Sequence, residues 1–477
     1  MSNNIYIITA FILYLLAMMS IGVYHYRRTH NMADYILGNR RLGAWVTSMS
    51  AEASDMSGWM LMGLPGYAYV AGLNASWIAL GLALGTFANW KFIAARLRKY
   101  TELANNSLTL PDFFRNRYHD ESNLLRIIPA IFILIFFIIY TSSGFVASGK
   151  LFETIFGLPY AYSLLLGAFV VVFYTFVGGF LAVCWTDFIQ GVMMFFAILI
   201  VPTAGAVALG GVTPTVEGLY AMAPSFFDPF TKPDGSTLSF IEFISLIGWG
   251  LGYFGQPHII VRFMALRSPG EAKTARRISL FWMVLSASGA IFTALIGIGY
   301  FAGDPEIKLG KGESEEVFLV MSRIFFHPFV AGLVLAAVLA AIMSTMSSQM
   351  IVCASALVED LYSLMGRKVS ARNLLIFSRL SVLGVAIVAA LMALDRNSAI
   401  LQLVEFAWAG FGAAFGPIVI LCLYWRKLTP TGALAGLVTG AVTVFVWANV
   451  DFLKAKMYEI VPGFLLNLLV AVIVSRL

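Results

Sequence analysis

Apolar runs of about 20 residues follow one another along almost the whole chain, separated by short polar or basic stretches. A helix rising 1.5 Å per residue crosses a hydrocarbon core of about 30 Å in that length, so each run predicts a membrane-spanning helix. The pattern predicts thirteen spans, over residues 4–25, 44–70, 76–96, 124–148, 159–181, 187–210, 239–261, 278–301, 327–363, 373–394, 399–424, 431–450 and 456–476. The first run lacks a small-residue cleavage site and is expected to be a retained helix, not a leader. Little chain is left over for a soluble catalytic domain.

Two spans break the pattern. The second contains AEASDMSGWMLMGLPG (Ala51 to Gly66), which sets Glu52, Asp55, two serines and three glycines inside a bilayer-length run. A carboxylate at that depth is costly and is kept where it faces a polar cavity, a partner or an ion. The seventh, SFIEFISLIGWGLGYFGQPHIIV (Ser239 to Val261), clusters four glycines and Pro257 in its second half. Glycine lets the chain leave helical geometry, and proline removes a backbone donor. Unwound backbone at membrane depth is tolerated only where protein or a water-lined cavity covers it. The two broken helices lie five spans apart, which predicts a pair of five-helix inverted repeats whose discontinuous first helices meet near the bilayer centre. The expected organisation is one all-α transport domain over 1–477, with repeat 1 at 44–210, repeat 2 at 239–424, and accessory helices at 4–25 and 431–476.

Basic residues orient the bundle. With the N-terminus outside, the loops after odd-numbered spans are cytoplasmic and hold Arg27, Arg28, Arg40, Arg41, the run Lys91 to Arg126, Arg262 to Arg277, Arg367 to Arg379, Arg426, Lys427 and Arg476. Of the 31 Lys+Arg, only Lys150, Lys232, Lys308, Lys311, Arg323, Arg396, Lys454 and Lys456 stay outside. That bias predicts N-terminus out and C-terminus in, and it accounts for the net charge of +6 without nucleic acid. Cys184, Cys353 and Cys422 are isolated, with no CxxC or histidine cluster, and read as buried structural thiols. The polar connection Gly210 to Leu238 and the acidic segment Asp304 to Glu316 read as external loops, the second one flexible.

Candidate chemistry sits beside the breaks. The ninth span carries Ala341, Ser344, Thr345, Ser347 and Ser348 within an apolar helix. Ser344 and Ser348 are four residues apart and Ser347 three from Ser344, so they share a face. Hydroxyl and carbonyl oxygens suit a hard alkali cation. Breaking the second span frees carbonyls near Ala53 and Met56; with Ala341, Ser344 and Thr345 they would form a sodium-sized cage. The structural alternative is that these hydroxyls bond back to their own helix or join it to neighbours. Asp187, at CWTDFIQG, reads either as a helix N-terminal acid or as the counter-charge of a second sodium held with Ser344, Ser347 and Ser348. Trp59, Tyr140, Trp249 and Tyr253 lie at or near the breaks and suit a small solute with an apolar body and an ammonium group. Half-helix N-termini offer donors to a carboxylate. A zwitterionic amino acid satisfies both demands. Glu52 has no evident partner. The small-residue runs Gly410 to Pro417 and Gly178-Gly179 read as helix contacts or hinges.

These motifs carry a resemblance. DYILGNRRLG (Asp34 to Gly43), SDMSGWMLMGLPG (Ser54 to Gly66), LTLPDFF (Leu108 to Phe114), FVGGFLAVCWTD (Phe176 to Asp187), LIGWGLGYFGQPHI (Leu246 to Ile259), AAIMSTMSSQ (Ala340 to Gln349), EDLY (Glu359 to Tyr362) and AWAGFGAAFGP (Ala407 to Pro417) resemble the sodium/solute symporter family, and SDMSGW with GWGLGYFGQPH its bacterial proline branch. The resemblance implies a leucine-transporter-type fold and sodium-coupled uptake of L-proline across the cytoplasmic membrane. It implies a sodium site of Ala53, Met56, Ala341, Ser344 and Thr345, with Asp55 required for sodium dependence from beside the cage. Proline would lie among Trp59, Tyr140, Trp249, Tyr253 and Pro257, with Ser57 and Gly58 lining the same break. Sialic-acid carriers of the family are similar in a second sodium site equivalent to Asp187, Ser344, Ser347 and Ser348, whereas proline carriers often have cysteine where Ser348 stands. The alternative is sodium symport of another small solute: an amino acid, carboxylate, vitamin or sugar. No Ser/His, paired-aspartate or zinc-ligand pattern within the spans points to an enzyme.

Overall fold

The computed structural model describes residues 2–26, 32–177, 180–222, 224–302, 309, 313–365 and 371–477. Helix underlies every predicted span. The elements are α1 (Ser2–Tyr26), α2 (Ala44–Asp55), α3 (Leu64–Ala71), α4 (Ser76–Ala88), α5 (Ala95–Leu103), α6 (Leu110–Tyr118), α7 (Leu124–Phe156), α8 (Tyr160–Val177), α9 (Phe180–Ala208), α10 (Phe240–Ile247), α11 (Pro257–Ala265), α12 (Ala272–Ala302), α13 (Pro328–Ser355), α14 (Ala371–Met392), α15 (Ile400–Tyr424), α16 (Pro430–Asn449) and α17 (Ile460–Arg476). Among the described residues nine helices are long and apolar enough to cross a membrane, and three apolar ones are shorter. Gly178-Gly179 and most of Asp304 to Glu316 lie outside the described residues.

Both expected breaks are present. The second span is α2, a non-helical step at Met56 (φ −80°, ψ 76°), the π-turn Trp59–Gly63, then α3. The seventh is α10, a 3-10 turn over Gly248–Phe254, an extended Gln256 (φ −75°, ψ 107°), then α11 opening on Pro257. Proline fits there because the first helical residue needs no N–H and its fixed φ is already helical. Glycine is required where the 3-10 turn meets α4: a Cβ at Gly250 would overlap the Gly81 carbonyl, and one at Gly85 the Gly250 backbone. The two backbones touch with no side chain between them.

Packing repeats with an offset of five spans. α2 lies on α9 as the 3-10 turn lies on α15; α7 packs on α8 as α13 does on α14; α9 meets α13 as α15 meets α7; α12 meets α2 as α4 meets the 3-10 turn. α1 lies against α13 and α9, while α16 and α17 pair with each other over α15.

Several boundaries differ from expectation. The sixth span begins at Phe180, so Asp187 lies seven residues inside α9 and is fully buried, not at a helix start. Arg262, counted as a cytoplasmic loop charge, is 1% exposed within α11. Lys150, counted outside, is buried in α7 and pairs with Glu315 at 2.8 Å. The connection after α9 contains the helix Val212–Met222. Arg40, ahead of α2, donates to Thr101 Oγ1 (3.0 Å), Met264 O (2.7 Å) and Ser107 O (2.8 Å), tying the ends of α5 and α11 together. Burial, with Arg98 close by, pushes its guanidinium down to about 10, so it stays charged near neutral pH.

Candidate functional site

The oxygens expected to cradle a cation come together where α2 ends against the middle of α13. Ser344 Oγ donates to Ala53 O at 2.7 Å and lies 3.0 Å from Ala341 O, while Thr345 Oγ1 stands 3.5 Å from Ala53 O. All four residues are buried. A hydroxyl that donates to a carbonyl keeps lone pairs for a cation, and the donor set is all oxygen, as a hard ion requires. The Met56 thioether is engaged elsewhere, accepting from the Trp282 indole N–H at 3.2 Å.

Asp55, the last residue of α2, links the two breaks. Its Oδ2 accepts from the Tyr253 hydroxyl at 2.5 Å, and its Oδ1 is buried without a hydrogen-bond partner among the described residues. The expected solute residues gather around this bond. Trp59 Nε1 donates to Asp55 O at 2.8 Å, and its ring lies 6.3 Å from that of Trp249. Tyr253 stands edge-on to Trp408 at 5.1 Å, and Trp408 Nε1 donates to Trp249 O at 2.7 Å. Tyr140 is fully buried and perpendicular to His258 at 6.0 Å. Ser57 sits in the step itself, where its Oγ accepts weakly from Trp59 N–H at 3.4 Å.

Two residues stand differently. Gly58 serves packing: a Cβ there would come within 2.8 Å of Ala147 Cβ and 3.4 Å of Ile342. Pro257 lines a narrow cavity with Arg262 and Ser348.

Asp187 occupies a second cluster one helical turn further along α13. Its Oδ2 accepts from Ser50 Oγ at 2.7 Å and from Arg262 Nη2 at 3.1 Å. The same guanidinium donates to Ser348 Oγ at 2.5 Å, Ser50 Oγ at 3.1 Å and His258 O at 2.6 Å. Asp187 and Ser348 therefore meet through a fixed cation of the protein. Ser347 bonds back to Ser344 O at 3.1 Å, the alternative raised for the hydroxyl-rich stretch.

Arg262, Trp408, Gln256, His258 and Tyr458 were not singled out in the sequence. Gln256 Nε2 donates to Trp408 O at 3.2 Å; its Oε1 and both His258 ring nitrogens are buried without partners among the described residues. Tyr458 stacks obliquely on Trp249 at 5.4 Å and lines a pocket of ≈ 590 Å³ with Tyr67, Glu405 and Lys454. GQPH offered a signal for Gln256 and His258, being polar residues adjoining a break; Arg262 offered none, since a basic residue after an apolar run reads as a loop. Buried polar groups are nearly always paired in folded proteins. Among the described residues, buried atoms of Asp55, Gln256 and His258 at this centre have no hydrogen-bond partner.

Comparison with known proteins agrees with this reading of the fold. The family model described as "Sodium:solute symporter family" matches residues 35–440. The chain is similar to the "Osmoregulated proline transporter OpuE" of Bacillus subtilis (strain 168), 47% identical over 476 residues, covering 99% of this chain and 95% of the relative. It is likewise similar to the "High-affinity proline transporter PutP" of the same organism, 50% identical over 461 residues and 96% of each chain. Among solved structures, a Na+-coupled sialic acid symporter in a substrate-bound outward-open state superposes with a TM-score of 0.82 at 18% identity, covering 99% of this chain and 98% of that one. That likeness shows the fold, the leucine-transporter type with broken first helices. With helices of this pattern and a match over most of its length, the chain belongs to the sodium:solute symporter family.

Proposed function

We propose that this protein is a sodium-coupled symporter that carries L-proline across the cytoplasmic membrane by alternating access. The observation that carries the reading is the Asp55–Tyr253 bond, which joins an oxygen cage for a hard cation to an aromatic chamber for a small solute. Sodium would bind Ala53 O, Met56 O, Ala341 O, Ser344 Oγ and Thr345 Oγ1, with Asp55 neutralising it from beside the cage. Proline would lie among Trp59, Trp249, Tyr253 and Tyr140, its ring against aromatic faces, its ends toward the freed backbone of the two breaks. The proline transporters among its relatives support this choice of solute.

Coupling follows from the shared residues. An ion between α2 and α13 holds the α2 end and Asp55 in place, and Asp55 in turn holds Tyr253. Sodium then raises proline affinity, and reciprocity makes proline raise sodium affinity by the same factor. A tenfold sodium gradient supplies about 1.4 kcal/mol and a potential of 100 mV about 2.3 kcal/mol per charge. One ion therefore supports roughly 500-fold accumulation of a neutral zwitterion. The Arg262 guanidinium between Asp187 and Ser348 supplies the charge a second sodium would bring to the site of Asp187, Ser347 and Ser348, which favours one sodium per proline. The offset packing supports repeats at 44–210 and 239–424, and the basic loops support N-terminus outside and C-terminus inside.

The test is a solute screen in proteoliposomes. Radiolabelled proline should accumulate with an inward sodium gradient. Equal uptake in potassium-only and choline-only buffers sinks the sodium reading, and sodium-driven uptake of a different solute alone sinks proline.

A further inference from the structure

Past the cage, α13 carries Ser344, Ser348 and Ser355, spaced by four and seven residues and therefore on one helix face. The helix then passes into a π-turn over Ala356–Leu361. Continued α geometry would carry Asp360 about 140° round from Ser355. The wider π-turn lags behind that rotation, and Asp360 lines the same narrow cavity as Ser348 and Ser355. An oxygen-bearing stripe thus runs from the cage to a carboxylate near the basic end of the bundle. The cavity holds ≈ 30 Å³, room for a water or two or a small ion.

Asp360 is fully buried. Its Oδ1 accepts from Thr109 Oγ1 at 2.7 Å and Arg126 Nε at 3.2 Å, while its Oδ2 has no hydrogen-bond partner among the described residues. Thr109, Leu110 and Pro111 close the far wall. Thr109 also caps α6, accepting from Asp112 N–H at 3.1 Å, so one hydroxyl both starts that helix and latches it to the π-turn. Arg126 adds Glu359 O at 2.8 Å. Arg126 is the cation already beside Asp360, but it is shared with Asp112 (3.8 Å) and Glu359 (3.6 Å), one guanidinium among three carboxyl groups. Among the described residues Arg262, by contrast, pairs with Asp187 alone. The unpaired Oδ2 of Asp360 is therefore the one with room for a second cation. At the other end of the cavity Arg262 repels a cation, so an ion that passes it meets its next favourable oxygens at Asp360.

We propose that this stripe is the release path of the transported cation and that Asp360, with the Thr109 hydroxyl, forms a transient sodium-sized site at its inner end, opened when α6 moves aside. The proposal rests on the sodium-symport reading above.

The experiment compares wild type, Asp360→Asn and Thr109→Val in proteoliposomes, measuring sodium-dependent equilibrium binding of radiolabelled proline and the internal sodium concentration that halves uptake. Expected for Asp360→Asn are binding within about twofold of wild type, about tenfold slower uptake, and about tenfold more internal sodium needed for half-inhibition; Thr109→Val shifts the same quantities less. Unchanged internal inhibition in both variants overturns the proposal, as does a fall in proline binding that matches the fall in uptake. If Asp360→Asn does not fold, the internal inhibition of Thr109→Val decides alone. Wild type without sodium-dependent proline binding marks failure of the symport reading itself, a different result from unchanged variants.

Discussion

Ser344 and Ser348 stand one turn apart on the same face of α13, yet they live in opposite surroundings. Ser344 faces backbone carbonyls, Ala53 O at 2.7 Å and Ala341 O at 3.0 Å. Ser348 faces the guanidinium of Arg262 at 2.5 Å, which in turn holds Asp187. The first cluster has acceptors and no positive charge; the second has its positive charge built in. Two hydroxyls of equal chemistry thus separate into a cluster of oxygen acceptors and a place that already owns a cation. What decides is the partner helix: the broken end of α2 brings lone pairs, and intact α11 brings Arg262.

The largest expected effect breaks the second cluster. Arg262→Gln leaves Asp187 buried without its partner, a loss of about 3–5 kcal/mol by analogy with halved buried ion pairs. Thermal unfolding should show it, and added sodium should restore part of the lost stability by filling the vacated charge. A sodium-dependent rise in Tm no larger than that of wild type would mean that the two clusters are not interchangeable hosts for a cation.

Asp55→Asn tests the first cluster. Removing the charge beside the cage and weakening the Tyr253 bond should cost about 2–3 kcal/mol, or on the order of 100-fold in sodium-driven uptake. Normal sodium dependence in that variant removes Asp55 from the coupling. Thr345→Ala deletes one cage oxygen at the edge of the cluster and should weaken apparent sodium affinity about tenfold, with unfolding little changed. Ser347→Ala is expected to do least, under about 0.5 kcal/mol, because that hydroxyl bonds only to its own helix. A large sodium effect there would pull Ser347 back among the ligands.

The sequence made the spans, the two breaks and the cage residues legible for physical reasons. Apolar length reports the bilayer; glycine, serine and proline report loosened helix; hydroxyls in an apolar run report something to bind. Ala53, Ala341, Ser344 and Thr345 meet because those signals lie close to the backbone. The rest depends on partners distant in the chain. Tyr253 and Asp55 are 198 residues apart, and Arg262 and Asp187 are 75. Nothing in the local pattern of α11 marks Arg262 as buried. Asp187 lies inside its helix and not at the start, because the apolar run continues upstream of it to Phe180. The Thr109–Asp360 bond was equally hidden, since a π-turn leaves no mark in hydropathy.

The glycine contact between α4 and the 3-10 turn has a kinematic consequence. Backbones that touch at Gly81, Gly85 and Gly250 leave no compliant side chains to shear, so these two segments must travel as a single lever. Whatever swings during transport pivots elsewhere, and a methyl group inserted at Gly85 acts as a wedge that shifts the whole lever instead of loosening one joint.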